Sequence, residues 1–244
     1  VSDGGTGDEQ LVRRLTSEFV GTAFLLAGVV GSGIMAERLT DDRGLQLLQN
    51  AAATAGVLVA LILALGPASG AHFNPAVTLA DRFFGGLDTR TAAAYIGAQV
   101  SGAIVGTMTA NLMFGLPAAT WSTTQRSGAD LVLAEVVATL GLLLVIFGVV
   151  RSGRPTAAAY AVGAYIGGAY YFTSSTSFAN PAVTVGRTIT DTFTGIEPGD
   201  APAFIGAQLV GTVLAIALIR VLYPDIGDVA DRVILPHAPE RRRG

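Results

Sequence analysis

The chain has 244 residues, of which 51% are hydrophobic and only 14% charged, and its formal net charge is −3. With a mean hydropathy of +0.55 it falls well short of the roughly one-quarter charged residues that cover a soluble domain, so the bilayer is the solvent to consider. No basic footprint speaks for nucleic acid, and the absence of Cys excludes a disulfide framework, a thiolate metal site and a thiol nucleophile.

Taken in chain order, Val1 to Gln10 is polar and Gly-rich and lacks the basic start and apolar stretch of a signal peptide, so residues 1–14 are expected to form a disordered leader. Apolar runs follow whose length, about twenty residues, suits a hydrocarbon core of roughly 30 Å. They predict membrane-spanning helices over Leu15 to Met35, Leu45 to Leu65, Thr91 to Phe114, Leu131 to Val150, Thr156 to Phe172 and Ala201 to Leu222. Two further segments, Ser69 to Leu79 and Ser177 to Val185, are apolar enough to enter the membrane and too short to cross it. Residues 224–244 are left as a tail that ends in an Arg run.

Each short segment contains Asn followed by Pro, at Asn74-Pro75 and Asn180-Pro181. Asn can cap free backbone N–H groups, and Pro at the first helical position gives up no donor the helix needs, so each pair opens a short helix. Irregular backbone ahead of such a helix survives at membrane depth only where protein buries it or a water-filled cavity receives it. The pattern therefore implies a pore.

The two halves repeat. Glu18-Phe19-Val20-Gly21-Thr22 is answered by Glu135-Val136-Val137-Ala138-Thr139, Asn-Pro-Ala-Val-Thr at 74–78 by the same residues at 180–184, and Ile96-Gly97-Ala98-Gln99 by Ile205-Gly206-Ala207-Gln208. Repeat one spans 15–114 and repeat two 131–223, together a channel domain over 15–223. Three crossings per half invert the second copy relative to the first, an arrangement that places a site at the midplane. The fold class is thus all-α and membrane-embedded, with six transmembrane helices, two re-entrant half-helices and an inverted internal repeat.

Orientation follows from Arg, which supplies every basic residue. With the N-terminus cytoplasmic, the inside holds eleven, including Arg13, Arg14, Arg82 and Arg90, and the outside four, Arg38, Arg43, Arg126 and Arg187. Both termini are then cytoplasmic in a multi-pass protein of the plasma membrane. His72 and His237 lie far apart in sequence, so a zinc site is not expected, and no Ser/His/Asp set or phosphate-cradling glycine loop is present. The expectation is a protein that is no enzyme and uses neither cofactor nor metal.

The paired Asn-Pro-Ala half-helices, the Glu near the start of each half and the repeated Gly-Ala-Gln resemble the aquaporin family over about Leu15 to Tyr223. That resemblance implies that Asn74-Pro75-Ala76 and Asn180-Pro181-Ala182 meet at the midplane and that the two Asn side chains donate N–H bonds to passing solute. The helix N-termini, with about half an elementary charge each, would bar cations and protons. Glu18 and Glu135 admit two readings, proton relays or acceptors for the backbone N–H groups of the loop in their own half, and the second is expected. His72 is read as a loop donor near the inner vestibule. The resemblance also implies a homotetramer with one pore per protomer; Gly97, Gly102 and Gly106 would suit close packing either between or within subunits.

Water and glycerol channels of the family usually carry Arg directly after the second Asn-Pro-Ala, where this chain has Val183. Spacing from the motifs adds Thr54 and Ser177 to the constriction, with Gly168 or Tyr170 from the fifth predicted helix. This Arg-free filter is similar to that of the arsenic-associated aquaporin S branch, which implies passage of uncharged, including methylated, arsenicals and of polyols as well as water. A general glycerol, urea or water channel is the first alternative, and a secondary transporter with inverted repeats is the rival from another class. Arg187 lies four residues beyond Val183, on the same helical face and about 6 Å further along. It either folds back toward the filter or pairs with Asp191.

Overall fold

The computed structural model describes residues 7–154 and 157–224. These residues form α1 (Gly7–Leu39), α2 (Arg43–Ser69), α3 (Pro75–Phe84), α4 (Thr89–Met113), α5 (Ala129–Arg151), α6 (Ala158–Phe172), α7 (Pro181–Arg187) and α8 (Ala201–Leu222). The first turns of the expected leader, residues 7–14, are part of α1 and not disordered. Asp8 and Glu9 sit in the first turn, where the helix dipole favours acids, and Arg14 is tied through its Nε to Tyr95 Oη at 3.0 Å. The tail, with His237 and the terminal Arg run, lies outside the described residues.

Local chemistry sets the helix ends. Asp42 caps α2 through the Leu45 N–H at 2.9 Å, and Asp88 caps α4 through that of Thr91 at 2.9 Å. At the far end of α2, Gly70 takes φ 90°. That left-handed conformation costs glycine little, and it turns the chain back toward α3.

The helices α1, α2, α5 and α8 are each long and apolar enough to cross a membrane alone. The other two crossings, α4 and α6, fall short for separate reasons. Gln99, Thr107 and Asn111 of α4 are buried polar residues that lower its hydropathy, and α6 has only 15 residues. Both depend on protein neighbours for burial. Helix α4 packs on α1, and α6 packs on α2 and α5.

The order crossing, crossing, half-helix, crossing occurs twice, as α1–α4 and α5–α8. Within a half, α1 packs on α2 and α4 as α5 packs on α6 and α8; between halves, α2 meets α6, α3 meets α8 and α7 meets α4. Gly102 and Gly106 of α4 allow the backbone of α1 at Phe19 and Ala23 to come so close that a Cβ would collide with it. Gly211 of α8 does the same for Val136 of α5. In a bilayer, where the hydrophobic effect draws no two helices together, such close backbone contact is a main source of adhesion. Gly102 and Gly106 thus pack within the protein, whereas Gly97 is exposed.

Candidate functional site

Two buried carboxylates hold the loops that precede the half-helices. Glu18 accepts from Ser69 Oγ (2.6 Å), the N–H groups of His72 (3.0 Å) and Phe73 (2.8 Å), and Gln99 Nε2 (2.8 Å). Glu135 accepts from Ser175 Oγ (2.6 Å), the N–H groups of Phe178 (2.9 Å) and Ala179 (2.8 Å), and Gln208 Nε2 (2.6 Å). Loop amides that water cannot reach are thereby satisfied. Neither carboxylate lines the cavity described below, a position that suits a brace better than a proton relay.

The loops so held adopt a backbone that L-residues avoid. Ala71 and Phe73 in one, and Thr176, Ser177 and Ala179 in the other, have φ between 47° and 63°. Such strain persists only where the surroundings over-determine it, which the carboxylate bonds do.

Asn74 and Asn180 join the halves. Each caps its own half-helix, Asn74 Oδ1 accepting from Ala76 (2.9 Å) and Asn180 Oδ1 from Ala182 (2.9 Å) and Val183 (3.2 Å). Each also reaches across, Asn74 Nδ2 donating to Ala179 O and Asn180 Nδ2 to Phe73 O, both at 2.8 Å. An amide NH2 has two hydrogens, so one remains on each Asn beyond this cross-link. Both side chains line one cavity.

That cavity is about 60 Å³, room for a file of about four to six waters at ~10–15 Å³ each. Its apolar wall comes from side chains spaced four apart on single helix faces: Thr54, Leu58 and Ile62 of α2 and Val162, Ile166 and Tyr170 of α6. Gly168, two residues and about 200° of helical turn from Tyr170, is exposed with open space beside it. Of the two residues expected from this helix, Tyr170 lines the cavity and Gly168 does not. The Tyr170 hydroxyl is hydrogen-bonded to Thr54 Oγ1 at 3.1 Å.

Ser177 and Val183 line the same cavity. The Ser177 hydroxyl is buried with no partner among the described residues. Arg187 lines it too and is 2% exposed. Its Nε donates to the carbonyl of Thr194, and its Cζ lies 3.4 Å from the Phe178 ring centroid. The expected alternative partner, Asp191, is engaged elsewhere, accepting from Thr123 N–H (2.8 Å) and Oγ1 (2.9 Å). His72 lies at the other end, with Nδ1 3.1 Å from Thr78 Oγ1 and Nε2 3.7 Å from Asp81.

Sequence reasoning missed Phe178, the platform for Arg187. The repeat could have pointed to it, because 178 − 72 = 106 and 180 − 74 = 106 give one offset, so Phe178 occupies the slot of His72. Among the described residues, no group of three or more His, Asp or Glu is placed to hold a metal ion.

Comparison with known proteins agrees with this fold. The family profile described as Major intrinsic protein matches residues 7–171. The chain is 52% identical to the aquaglyceroporin AqpS of Rhizobium meliloti over 210 residues, 86% of this chain and 90% of that protein. It is 30% identical to aquaporin NIP1-4 of Oryza sativa subsp. japonica, covering 90% of this chain and 74% of that one. In fold it is similar to the X-ray structure of the aquaglyceroporin from Plasmodium falciparum, with TM-score 0.70, 24% identity and coverage of 88% and 98%.

Proposed function

Because the chain belongs to the major intrinsic protein family, whose members are channels and not enzymes, we propose that it is a passive transmembrane channel for small neutral solutes, passing polyols and uncharged, including methylated, arsenicals as well as water. Solute takes the free amide hydrogens of Asn74 and Asn180 at the midplane, where the positive ends of α3 and α7 repel cations. The selectivity filter is Thr54, Tyr170, Ser177 and Val183, with Arg187 one turn beyond. The observation that carries this reading is Val183 in the cavity wall, at the position where an Arg would make the usual cationic clamp. An apolar side chain there leaves Ser177 Oγ as the polar contact and admits solutes larger and less polar than water.

Glu18 and Glu135 act as structural braces in this scheme. The protein works as a homotetramer with one pore per protomer, its outward apolar side chains such as Phe24, Leu133 and Val213, each more than 60% exposed, meeting lipid or a neighbouring copy. It lies in the plasma membrane with both termini cytoplasmic, a reading that rests on the distribution of Arg. The channel domain carries repeat one to residue 114 and repeat two over 131–223.

Stopped-flow permeation of water, glycerol and uncharged methylated arsenicals in liposomes, with and without Val183→Arg, tests the reading. Fast solute entry that the substitution abolishes while water flow survives is the expected result. Permeability to water alone, unchanged by the substitution, would contradict it in favour of an ordinary water channel.

A further inference from the structure

Arg187 is a buried cation whose bonding is incomplete. Its Nε is used by Thr194 O, but among the described residues neither Nη atom has a hydrogen-bond acceptor and no carboxylate lies within 4 Å of the guanidinium. Asp191 is occupied by Thr123, and Glu135 carries three loop donors and Gln208 of α8. A second guanidinium stands behind the first. Arg126 Cζ lies 5.2 Å from the same Phe178 ring centroid, fixed by bonds from Nε to Gly195 O (2.7 Å) and from Nη2 to Phe193 O (3.2 Å). Its charge also lacks a carboxylate partner among the described residues. Two like charges facing one aromatic ring with no ion pair are costly to bury, and an anion on the cavity side of Arg187 would relieve that cost.

The donor geometry selects the anion. A guanidinium anchored through Nε with its Cζ 3.4 Å from an aromatic ring centroid keeps the planar fork of its Nη atoms, which suits a group offering two oxygens. Ser177 Oγ, buried and unpartnered, lines the same cavity. Arg187 is 2% exposed and lines the cavity, so its access is from that cavity, by a free solute and not a lipid headgroup. We propose that Arg187, fixed on Phe178 and backed by Arg126, forms a binding site for small oxyanions, the conjugate bases of weak oxyacids, at the mouth beside Val183. The site deepens the channel reading, since it opens onto the same cavity.

Its position dictates its behaviour. Beyond the fork the solute meets Val183 and the largely apolar faces of α2 and α6, where the few hydroxyls do not replace the hydration an anion loses. The anion therefore stops at Arg187 and blocks, while the protonated acid goes on. The symmetry-related position, 187 − 106 = 81, is Asp81, a buried carboxylate beside His72 that does not line the cavity, so the first half offers no matching cation and the block belongs to one end only.

Methylphosphonate, a tetrahedral oxyanion of the right size, is a suitable probe. Purified protein in a phosphate-free maltoside detergent should broaden the 31P resonance of methylphosphonate; Arg187→Gln should abolish the broadening, and Arg187→Lys, which keeps the charge and loses the fork, should retain part of it. In phosphatidylcholine vesicles, methylphosphonate on both sides should slow glycerol entry, each protein being compared with its own uninhibited rate. The concentration needed should rise about tenfold or more in Arg187→Gln, the loss expected for a hydrogen bond to a charged group. Native protein that leaves the resonance sharp, or Arg187→Gln that binds as the native does, would overturn the proposal. Absence of glycerol flux in native vesicles would overturn the channel reading instead, and the resonance comparison would still decide the oxyanion site.

Discussion

In the first half of the molecule Glu18 gathers Ser69, the amides of His72 and Phe73, and Gln99; in the second Glu135 gathers Ser175, the amides of Phe178 and Ala179, and Gln208. Gln99 further donates to Thr78 and Gln208 to Thr184, both at 2.9 Å, and the two Asn cross-links have equal length. Among side chains outside this bonding, some repeat, such as Val77 and Val183 in the cavity wall, and others do not. His72 corresponds to Phe178, Asp81 to Arg187, and the pair Gly21 and Phe73 to Ala138 and Ala179. The comparison teaches that residues bonded to backbone kept one solution in both copies, because any change strands a buried amide. Residues outside that bonding were freer to diverge, and at the cavity they set His72 in one half against Phe178 in the other.

The largest expected effect breaks the shared part. Glu18→Leu and Glu135→Leu each strand buried donors at about 1–3 kcal/mol per group, so both variants should lose monodisperse protein on size-exclusion chromatography. Tolerance in one half only would end the equivalence. Next comes the exchanged pair. A Cβ at Gly21 would collide with the Phe73 ring, so Gly21→Ala should cost about 2 kcal/mol from overpacking. Adding Phe73→Ala recreates the second half's pairing and should recover about 1 kcal/mol as coupling in a thermal-unfolding cycle; strictly additive losses would show that the two sites are not paired. The contrast between Gly106, pressed on the Ala23 backbone, and its counterpart Ala215 is of similar size. Gly106→Ala should cost about 2 kcal/mol and Ala215→Gly about 1 kcal/mol, read from melting temperatures in detergent. Smallest is Tyr170→Phe, which removes the bond to Thr54 from the second half's mouth. The glycerol-to-water permeability ratio should rise by less than about tenfold, the equivalent of one ordinary hydrogen bond.

Most of this frame is legible in the sequence, since six apolar runs, two Asn-Pro starts and an internal repeat leave few ways to satisfy backbone in lipid. Three features were not. Helix α1 runs on to Gly7 because a polar, helix-forming stretch can leave the apolar run without breaking the helix, and hydropathy does not register it. The lining residue of α6 was ambiguous between Gly168 and Tyr170 while loop lengths set the register; the four-residue spacing of Val162, Ile166 and Tyr170 resolves it. Arg187 was visible by its spacing from Val183, but its partners were not. Thr194 lies in a loop whose path no periodicity encodes, and Phe178 gains meaning only when the strained loop before α7 turns its ring toward the guanidinium.

The lining of the passage can be read directly, because the chain contains no Cys and offers a clean background for single-cysteine variants. Glycerol flux through liposomes would be measured before and after a mercurial reagent for the native protein, Val183→Cys and Gly168→Cys. If the passage runs between the half-helices and past Val183, the reagent blocks Val183→Cys and leaves the native protein and the outward-facing Gly168→Cys untouched. Block at Gly168→Cys with none at Val183→Cys would contradict the proposed pore.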